Sequence, residues 1–374
     1  MPETFIADIT YGLWAYGTAT ETITGVTRKT IQAVSGAVDP SAGYALYLPF
    51  GAASPTYRSG ATTSPLITAM PGYAYTRSGA KQELLASAGG VSTVFAANVP
   101  GIVPGQGYYS WVAETNLLLN AGQSSNLGTQ NVTVTAQAYT LSFLGTGTVT
   151  LSGVSVAGPL VGTGVNNQVS LTFTPTAGTL TLTVTGNVTY SGLVAGLATG
   201  PIIATAGATA STGADSLAET ITALTDQDML IWVTGTCQDN SGNTATSFAL
   251  DDNTTNNEIT FFHTAGGGVG FIRVWVGGAL QYNQDPGTQA VGVKHTRLLR
   301  RIGGNWRGGK VVSGVLTWAS ADVAGTFPAG LTNIRSGQQR GNPAFNGSVA
   351  GEFIKFGTFA IDADVLSAVA APGV

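Results

Sequence analysis

The chain has 374 residues, a formal net charge of −4 and 9% charged residues, against roughly 25% in ordinary soluble proteins. Its 15 basic and 19 acidic residues create no strong field, which excludes the electrostatic attraction that nucleic-acid-binding proteins use. A hydrophobic fraction of 43% together with the low net charge favours a folded chain over a disordered one. The single cysteine, Cys237, excludes an internal disulfide framework and a multi-cysteine metal site.

The N-terminal third gives the weakest secondary-structure signal. Thr22–Val34 and Tyr44–Pro49 have strand-like composition, but loops rich in Gly and Ser occupy much of the remainder. We interpret residues 1–114 as an irregular region, either a small domain or an extended arm that docks on a partner. The opening Met1–Phe5 lacks the basic start and apolar run of a secretory signal, so we expect a cytoplasmically made protein.

The central part of the chain is distinguished by its lack of charge. Residues 115–214 contain no Asp, Glu, Lys, Arg or His. Apolar residues alternate with Thr in Val132–Ala136 and Thr179–Thr185, which is the pattern of strands with one buried face and one hydroxyl-bearing face. Because glycines punctuate these runs as turns, residues 115–198 are predicted to form a small charge-free β-sandwich.

One uncharged and mostly apolar stretch, Leu193–Ala210, has the composition of a membrane span. Glycines and a proline interrupt it, which favours irregular structure over a spanning helix. We therefore predict that residues 199–214 form an interdomain linker and that the chain does not insert into a membrane.

The C-terminal part, residues 215–374, is predicted to form a second and larger sandwich. Its expected strands, separated by Gly, Asn and Asp turns, are Met229–Thr234, Thr246–Leu250, Glu258–His263, Gly270–Val276, Thr296–Ile302, Lys310–Trp318 and Gly351–Phe359. Only the tail Ala363–Ala370 has weak helical character. The predicted fold class is all-β, with tandem β-sandwiches behind an irregular N-terminal anchor region.

Three parts of the chain resemble a recurring arrangement in tail-fibre, head-spike and decoration proteins of bacteriophages and prophages. The segments of the first part are Tyr75–Gly79, Phe95–Pro100 and Glu114–Asn120. The second, Thr172–Leu180, resembles a carbohydrate-binding-type module. The third resembles a concanavalin A-like or laminin-G-like jelly roll in Phe248–Thr254, Pro328–Arg335, Phe345–Val349 and Ile354–Phe359. The resemblance departs at Gly101, where the arrangement usually carries an Arg, and residues 1–70 match no family.

This resemblance implies a non-enzymatic structural protein of the virion surface, made in the bacterial host cytoplasm. Residues 1–114 would anchor it to capsid or tail proteins, and the central sandwich would serve as a spacer or as the contact of a homo-oligomer. The jelly roll at residues 215–374 would bind a host-cell glycan. Two alternatives remain: a head-decoration protein that binds no sugar, and a polysaccharide depolymerase.

Aromatic side chains are candidates for a sugar platform, because they present flat apolar faces. Trp306 lies in the glycine-rich run Gly303–Gly309, which predicts a turn that exposes the indole. The predicted carbohydrate site consists of Trp306, Asn305, Arg307 and Tyr282. Other aromatic candidates are Trp275, Trp318, Tyr108, Tyr109 and Trp111. A Trp within a strand, such as Trp275, is by default buried.

An acidic cluster supplies the one candidate metal site, for calcium. Its members are Asp251, Asp252, Asn253 and Glu258. Calcium prefers oxygen ligands, but the spacing is not that of an EF-hand loop. Asx-rich tracts between strands are also common as turns whose side chains bond their own backbone. Both interpretations fit the sequence.

A basic run follows at Lys294, Arg297, Arg300, Arg301, Arg307 and Lys310. Its spacing favours a solvated strand face, with contact to an acidic glycan or a neighbouring subunit as the alternative.

No motif in the sequence indicates catalysis. His263 and His295 have no Ser or Cys partner in a recognisable nucleophile elbow. The run Gly266–Gly270 lacks the Lys and the following helix of a phosphate loop. A glycosidase needs two carboxylates roughly 5 to 9.5 Å apart, a separation that sequence does not reveal. The sequence therefore favours a protein that is not an enzyme.

Overall fold

The fold was examined in a computed structural model of the chain. It describes residues 16–23, 26–33, 46–52, 57–59, 61–70, 72–84, 92–122, 126–196, 200–238, 245–263, 270–285, 287, 292–312, 314–319, 321–340, 345 and 347–357. The chain divides into two units, Met1–Gly43 and Tyr44–Val374. In the first unit, β1 (Tyr16–Ile23) and β2 (Val26–Ala33) pair as an antiparallel hairpin.

The second unit is built from antiparallel strands. Before the central block they are β3 (Leu46–Leu48), β4 (Tyr57–Ser59), β5 (Thr62–Ser64), β6 (Tyr73–Thr76), β7 (Lys81–Leu84), β8 (Ser92–Phe95), β9 (Gly101–Val103), β10 (Gly107–Ser110) and β11 (Glu114–Asn116). Those of the central block are β12 (Gln130–Val134), β13 (Tyr139–Gly145), β14 (Thr148–Gly153), β15 (Leu160–Val161), β16 (Gly164–Phe173), β17 (Gly178–Thr185) and β18 (Val188–Ala195).

After the central block the strands are β19 (Ala210–Thr212), β20 (Ser216–Thr220), β21 (Met229–Cys237), β22 (Ala245–Asp251), β23 (Glu258–His263), β24 (Gly270–Val276), β25 (Ala279–Gln284), β26 (His295–Ile302), β27 (Asn305–Val312), β28 (Val315–Trp318), β29 (Val323–Ala324), β30 (Asn333–Ser336) and β31 (Gly347–Phe356). A 3₁₀ turn at Ile67–Ala69 is the only helical element among the described residues. The all-β prediction is confirmed. The predicted helical tail, Ala363–Ala370, lies outside the described residues. No described helix has the length and apolar character needed to cross a membrane.

The central strands form a small sandwich with its own core. A four-stranded sheet, β12-β17-β14-β15, faces a three-stranded sheet, β16-β13-β18. On β17, Leu180 and Leu182 are buried while Thr181 on the same strand is only partly covered. The alternation of apolar residues with Thr therefore produces the buried and solvated faces that the sequence predicted.

Most of the other strands of this unit form a larger sandwich of two sheets, whereas β7 pairs with β8 and β11 with β19 in separate two-stranded sheets. The seven-stranded sheet runs β25-β24-β23-β22-β30-β20-β6. The eleven-stranded sheet runs β28-β27-β26-β21-β31-β3-β4-β5, with β10, β9 and β29 attached beside it. Apolar side chains of both sheets meet between them in one core cluster.

The segment 46–110, which the sequence placed in an anchoring region, instead completes the larger sandwich. Strands β3 and β10 pair with β31, and β6 pairs with β20. The short strands of this segment carry too few apolar residues for a core of their own, and they bury Leu46, Leu48 and Tyr108 in the larger core. The small sandwich is thus an insertion between β10 and β20.

The two chain crossings between the sandwiches are paired with each other. β11 pairs with β19, and the Asn116 amide donates hydrogen bonds to the backbone carbonyls of Ser191 and Ile203. Ile202 and Ile203 are buried. The predicted linker at 199–214 is therefore, over its described part, an ordered and partly buried connection rather than a free tether.

A buried ion cluster lies where the inserted sandwich joins the larger one. The Asp215 carboxylate accepts hydrogen bonds from Arg77 at 3.1 Å, from Lys81 at 2.6 Å and from the backbone N–H of Trp111 at 2.9 Å. The side chains of Asp215, Arg77 and Lys81 are fully buried. Because Asp215 follows β19 and Trp111 precedes β11, this carboxylate fixes both crossings at once.

Candidate functional site

The outer face of the seven-stranded sheet carries an unusual row of large side chains. β23 and β24 pair so that Glu258 lies opposite Trp275, Thr260 opposite Arg273 and Phe262 opposite Phe271. The alternate residues of both strands, including Ile259 and Ile272, point into the core. Since successive side chains of a strand point to opposite faces, these three cross-strand pairs share the outer face.

A pocket of about 420 Å³ opens on this face. Its lining residues are Thr255, Asn256, Glu258, Thr260, Phe262, Arg273, Trp275, Gly278 and Gln339. The lining thus combines two aromatic side chains with an arginine, a carboxyl group, amides and hydroxyls. A few polar groups placed among aromatic surfaces are typical of ligand pockets.

Arg273 forms one wall of the pocket by lying on aromatic rings. Its guanidinium carbon is 4.3 Å from the centroid of the Phe262 ring and 5.5 Å from that of Phe271. Its Nε donates to the Asn283 side chain at 3.0 Å. Partial burial lowers the pKa of Arg273, and the nearby Glu258 opposes this effect. The stacked and hydrogen-bonded guanidinium is held in place before any ligand arrives.

Glu258 forms the polar end of the pocket. The Gln339 amide donates to both carboxyl oxygens, at 2.8 and 2.7 Å. Burial raises the pKa of Glu258 to about 7, and the Gln339 hydrogen bond works against this rise. Near neutral pH this carboxyl therefore exists in both protonation states, so it can donate or accept a hydrogen bond.

The tight turn after β24 sets the position of Trp275. Gly277 and Gly278 have φ of +57° and +79°, which only glycine and a few polar residues adopt readily. The backbone N–H of Gly277 donates to the Asn257 side chain at 2.9 Å, and that of Gly278 donates to the Asn256 carbonyl at 2.9 Å. The turn is thereby tied to the loop before β23.

Arg297 supports the pocket from the core side. Its NH1 donates to the backbone carbonyls of Phe262, at 2.7 Å, and Phe271, at 3.3 Å. Its NH2 contacts Nε2 of His263 at 2.9 Å, where the histidine accepts. Burial and the adjacent Arg297 charge keep the pKa of His263 well below its usual value.

The basic run is therefore not one solvated face, since Arg297 and Arg301 are buried.

Trp306 does not occupy the exposed turn that the sequence predicted. The turn between β26 and β27 is Gly303–Gly304, and Trp306 lies on β27 opposite Arg301, fully buried. Its ring stacks on Phe327 at 6.2 Å, with the Arg301 guanidinium carbon 4.6 Å from its centroid. A ligand therefore has no access to its indole face.

The glycines after Trp306 serve close packing rather than a turn. A Cβ at Gly309 would come within 2.8 Å of the Trp318 ring, and one at Gly308 within 2.9 Å of the Tyr282 hydroxyl. The prediction of an exposed Trp306 was wrong because it took these strand glycines for loop residues.

The other residues of the predicted carbohydrate site do not form one surface. Tyr282 is buried, and its hydroxyl bonds the Gln284 side chain at 2.6 Å and the Gly308 backbone. Asn305 donates to the Gly303 carbonyl at 3.1 Å within the turn. Arg307 is half-buried and donates through Nε to the Ala319 carbonyl at 2.8 Å. The structure therefore gives no support to a sugar site around Trp306.

The acidic cluster forms a turn rather than a calcium site. Asp251 is buried and accepts from Arg335 at 2.6 Å. Asp252 accepts from the backbone of Thr254 and from the Asn257 amide, each at 2.8 Å. Asn253 has a φ of +67° and bonds Arg335 at 3.1 Å. In the described part of the chain no group of three His, Cys, Asp or Glu side chains could hold a metal ion. Protein donors already occupy these oxygens.

The sequence contains a signal for the observed pocket, which the default expectation of a buried Trp275 overlooks. Phe271, Arg273 and Trp275 recur at every second position of one strand. A strand that carries an arginine between two aromatic residues has its charged face outward, so Trp275 shares that face. Gln339 had no such signal, because it reaches Glu258 only through the folded chain.

Comparison with known proteins gives no family for this chain. No family model matches the sequence, and no curated protein matches it. Among solved structures, a CBM40 of Ruminococcus gnavus IT-sialidase bound to α2,3-sialyllactose is 15% identical, with a TM-score of 0.31, over 40% of this chain and 83% of that chain. Domains LG4-5 of the mouse laminin α1 chain are 11% identical, with a TM-score of 0.25, over 71% of this chain and 93% of that chain.

A SAP-like pentraxin from Limulus polyphemus, described as a native heptamer, is 14% identical, with a TM-score of 0.26, over 41% of this chain and 74% of that chain. At such scores the likenesses carry no argument about function. The function is therefore inferred from the geometry of the outer-face pocket.

Proposed function

We propose that this chain is an adhesive surface protein that binds a glycan in the pocket of Glu258, Arg273 and Trp275. The observation that carries the proposal is the arrangement of an aromatic ring, a stacked guanidinium and an amide-bonded carboxyl around one open pocket. A sugar ring has an apolar face that packs on Trp275. Its hydroxyls are both donors and acceptors, and they match Arg273 and Glu258.

Preorganisation favours binding over a purely structural role for these residues. The Phe262–Phe271 pair stacks at 5.6 Å beneath Arg273, whose Nε is already fixed by Asn283. Among the described residues the terminal nitrogens of Arg273 have no hydrogen-bond partner, so they remain for a ligand. Side chains that are ordered in advance lose less entropy on binding.

We further propose that the protein acts on the surface of a phage or phage-like particle, as a fibre, spike or decoration component. The resemblance of the ordered segments from Tyr75 onward supports this setting. On such a particle many copies would present weak sites together, and multivalency would raise the avidity. Homo-oligomers and contacts with capsid or tail proteins belong to this proposal.

A glycan array probed with the full-length protein, clustered on beads, tests the proposed pocket. We expect wild-type binding to a limited set of glycans and at least tenfold loss in Trp275→Ala and Arg273→Ala. The matched control is Trp318→Ala, which removes a half-buried Trp under Arg300, at 5.1 Å, on the other sheet. Silence of the folded wild type, or equal loss in the control, would refute the proposed site.

Two observations favour the head-decoration alternative, in which no sugar is bound. Trp306, which the sequence analysis predicted as the main sugar-binding aromatic residue, is fully buried. In addition, Val156, Val161 and Val165 of the small sandwich are 81%, 53% and 57% exposed, which suits lateral packing against another subunit. A silent array combined with binding to purified particles would select this alternative.

A further inference from the structure

A second pocket lies between the two sheets of the larger sandwich and is independent of the glycan proposal. Its volume is about 350 Å³. Most of its wall is apolar and comes from Leu46, Ile221, Leu224, Ile334, Ile354 and Phe356. The size and lining suit a ligand with a short hydrocarbon body.

The pocket has a carboxyl group in its lining. Glu219 is only 2% exposed and has one oxygen, Oε2, without a hydrogen-bond partner among the described residues. Burial raises the pKa of Glu219 to about 7, against the opposing influence of the nearby Ser59 and Tyr73 hydroxyls. A buried carboxyl with an unsatisfied oxygen is unfavourable unless a donor reaches it.

Two neighbours of Glu219 also carry buried oxygens. Oε1 of Glu352 makes no hydrogen bond within the described chain, and the Tyr73 hydroxyl is an O–H donor that interacts with Glu219. Tyr73 interacts electrostatically with both glutamates, and Glu352 with Glu219. The second oxygen of Glu352 accepts from Ser336 at 2.7 Å, which holds this group in place. Of these three side chains only Glu219 lines the pocket, and the carboxyl group of Glu352 lies behind it.

The structure assigns this pocket to a ligand that carries a primary alkylammonium group, with its cationic head at Glu219 and its alkyl chain along the apolar wall. An ammonium donates hydrogen bonds and accepts none, which matches a carboxylate that lines the pocket and has one oxygen without a partner among the described residues. Its single positive charge compensates that carboxylate in a site where the described lining contains no Lys or Arg. A neutral alcohol would leave the carboxylate charge uncompensated.

Isothermal titration of the full-length protein tests this assignment with two probes of equal chain length. Hexylamine hydrochloride should bind at about pH 8, and 1-hexanol should bind at least tenfold more weakly because it lacks the charge. A blocked lysine, Nα-acetyl-lysine amide, is the third probe. If it binds as well as hexylamine, the natural source is a lysine side chain. If hexylamine alone binds, the source is a free amine.

Variants locate the binding within the pocket. Glu219→Gln should lower the affinity for hexylamine at least tenfold, while Glu258→Gln, the same change in the other pocket, should leave it unaltered. Thr222→Trp narrows the opening from an exposed position and should also abolish binding, which keeps the test valid if Glu219→Gln fails to fold. Equal binding of hexanol, no hexylamine binding by the wild type, or full binding by Thr222→Trp would overturn the assignment. None of these outcomes affects the glycan array.

Discussion

Trp275 and Trp306 show how the environment of a side chain, rather than its type, decides its role. Both lie on strands of the larger sandwich. Trp306 points into the core and stacks on Phe327, whereas Trp275 lies on the outer face opposite Glu258 and is partly exposed. The same contrast separates the acidic residues: Asp251 forms an ion pair with Arg335 at 2.6 Å, whereas the side-chain hydrogen bonds of Glu258 within the described residues come from the neutral Gln339 amide. The residues suited to binding a ligand are those with incomplete partners.

Glu219 is expected to make stability fall as the pH rises. The pKa of Glu219 is about 7 in the folded protein against 4.5 for an ordinary Glu. Its contribution to the free energy of unfolding is therefore complete below about pH 4.5 and is lost as the pH rises through 7. In Glu219→Gln the decline of the unfolding free energy above about pH 5 should be shallower, by up to about 1.4 kcal/mol per pH unit. Urea unfolding of the wild type and the variant at several pH values measures this pH dependence.

His295→Gln serves as the opposite control for this prediction. Burial lowers the pKa of His295 from 6.5 to about 3, so its contribution is present above about pH 6.5 and is lost as the pH falls towards 3. This variant should make the free energy of unfolding fall less as the pH drops from about 6.5 to 3, a change opposite in direction to that of Glu219→Gln. A Glu219→Gln protein with the full decline of the wild type between about pH 4.5 and 7 would contradict the raised pKa of Glu219.

At the scale of elements, short turns set which strand faces carry chemistry. The Gly277–Gly278 turn joins β24 to β25 in two residues, so Trp275 pairs with Leu280 beside the pocket. The Gly303–Gly304 turn does the same for β26 and β27 and directs Trp306 to the core. A one-residue shift in either turn would exchange inner and outer residues.

Substitution at Gly277 tests the turn after β24. Gly277→Val should destabilise the protein by about 1–2 kcal/mol, because a β-branched residue is strained at a φ of +57°. It should also weaken glycan binding, since Trp275 lies two residues before the turn on β24. Gly277→Asn is the control, because Asn tolerates this conformation and no atom lies within 4 Å of the added Cβ. Thermal unfolding measures the stability of both variants, and the glycan array measures their binding. Equal effects of Val and Asn would argue against backbone strain.

At the scale of the whole molecule, the second unit combines two sandwiches through an insertion. The small sandwich leaves and rejoins the larger one through the β11–β19 pair, and Asp215 is bonded to Arg77, Lys81 and Trp111 at this junction. Two buried cations therefore share this carboxylate, and Lys81 also pairs with the buried Glu83 at 3.0 Å. The junction, rather than a flexible linker, connects the charge-free sandwich to the sandwich that carries both pockets.

Asp215→Ala should therefore be one of the most damaging single substitutions in the chain. Without Asp215 the buried Arg77 loses its carboxylate partner and Lys81 keeps only Glu83. Removing one partner of a buried ion pair leaves a charge uncompensated, and we expect a loss of about 3–5 kcal/mol in the free energy of unfolding. Urea unfolding gives the value. Asp322→Ala is the matched control, because Asp322 pairs with Arg300 at 2.8 Å but is 47% exposed, and its loss should be under about 1 kcal/mol. Similar losses in both variants would show that the buried cluster is not stabilising.

The sequence by itself determined the fold class, the small sandwich and several strands of the larger one, including Glu258–His263 and Gly270–Val276 to the residue. These follow from local alternation, which depends only on neighbours along the chain. The tertiary structure alone decided that β3, β6 and β10 complete the larger sandwich, since each pairs with a strand far away in sequence. The tertiary structure also decided which residues form the two pockets. Gln339 meets Glu258, and Glu219 meets Glu352, through contacts that separate strands make only when the sheets have formed.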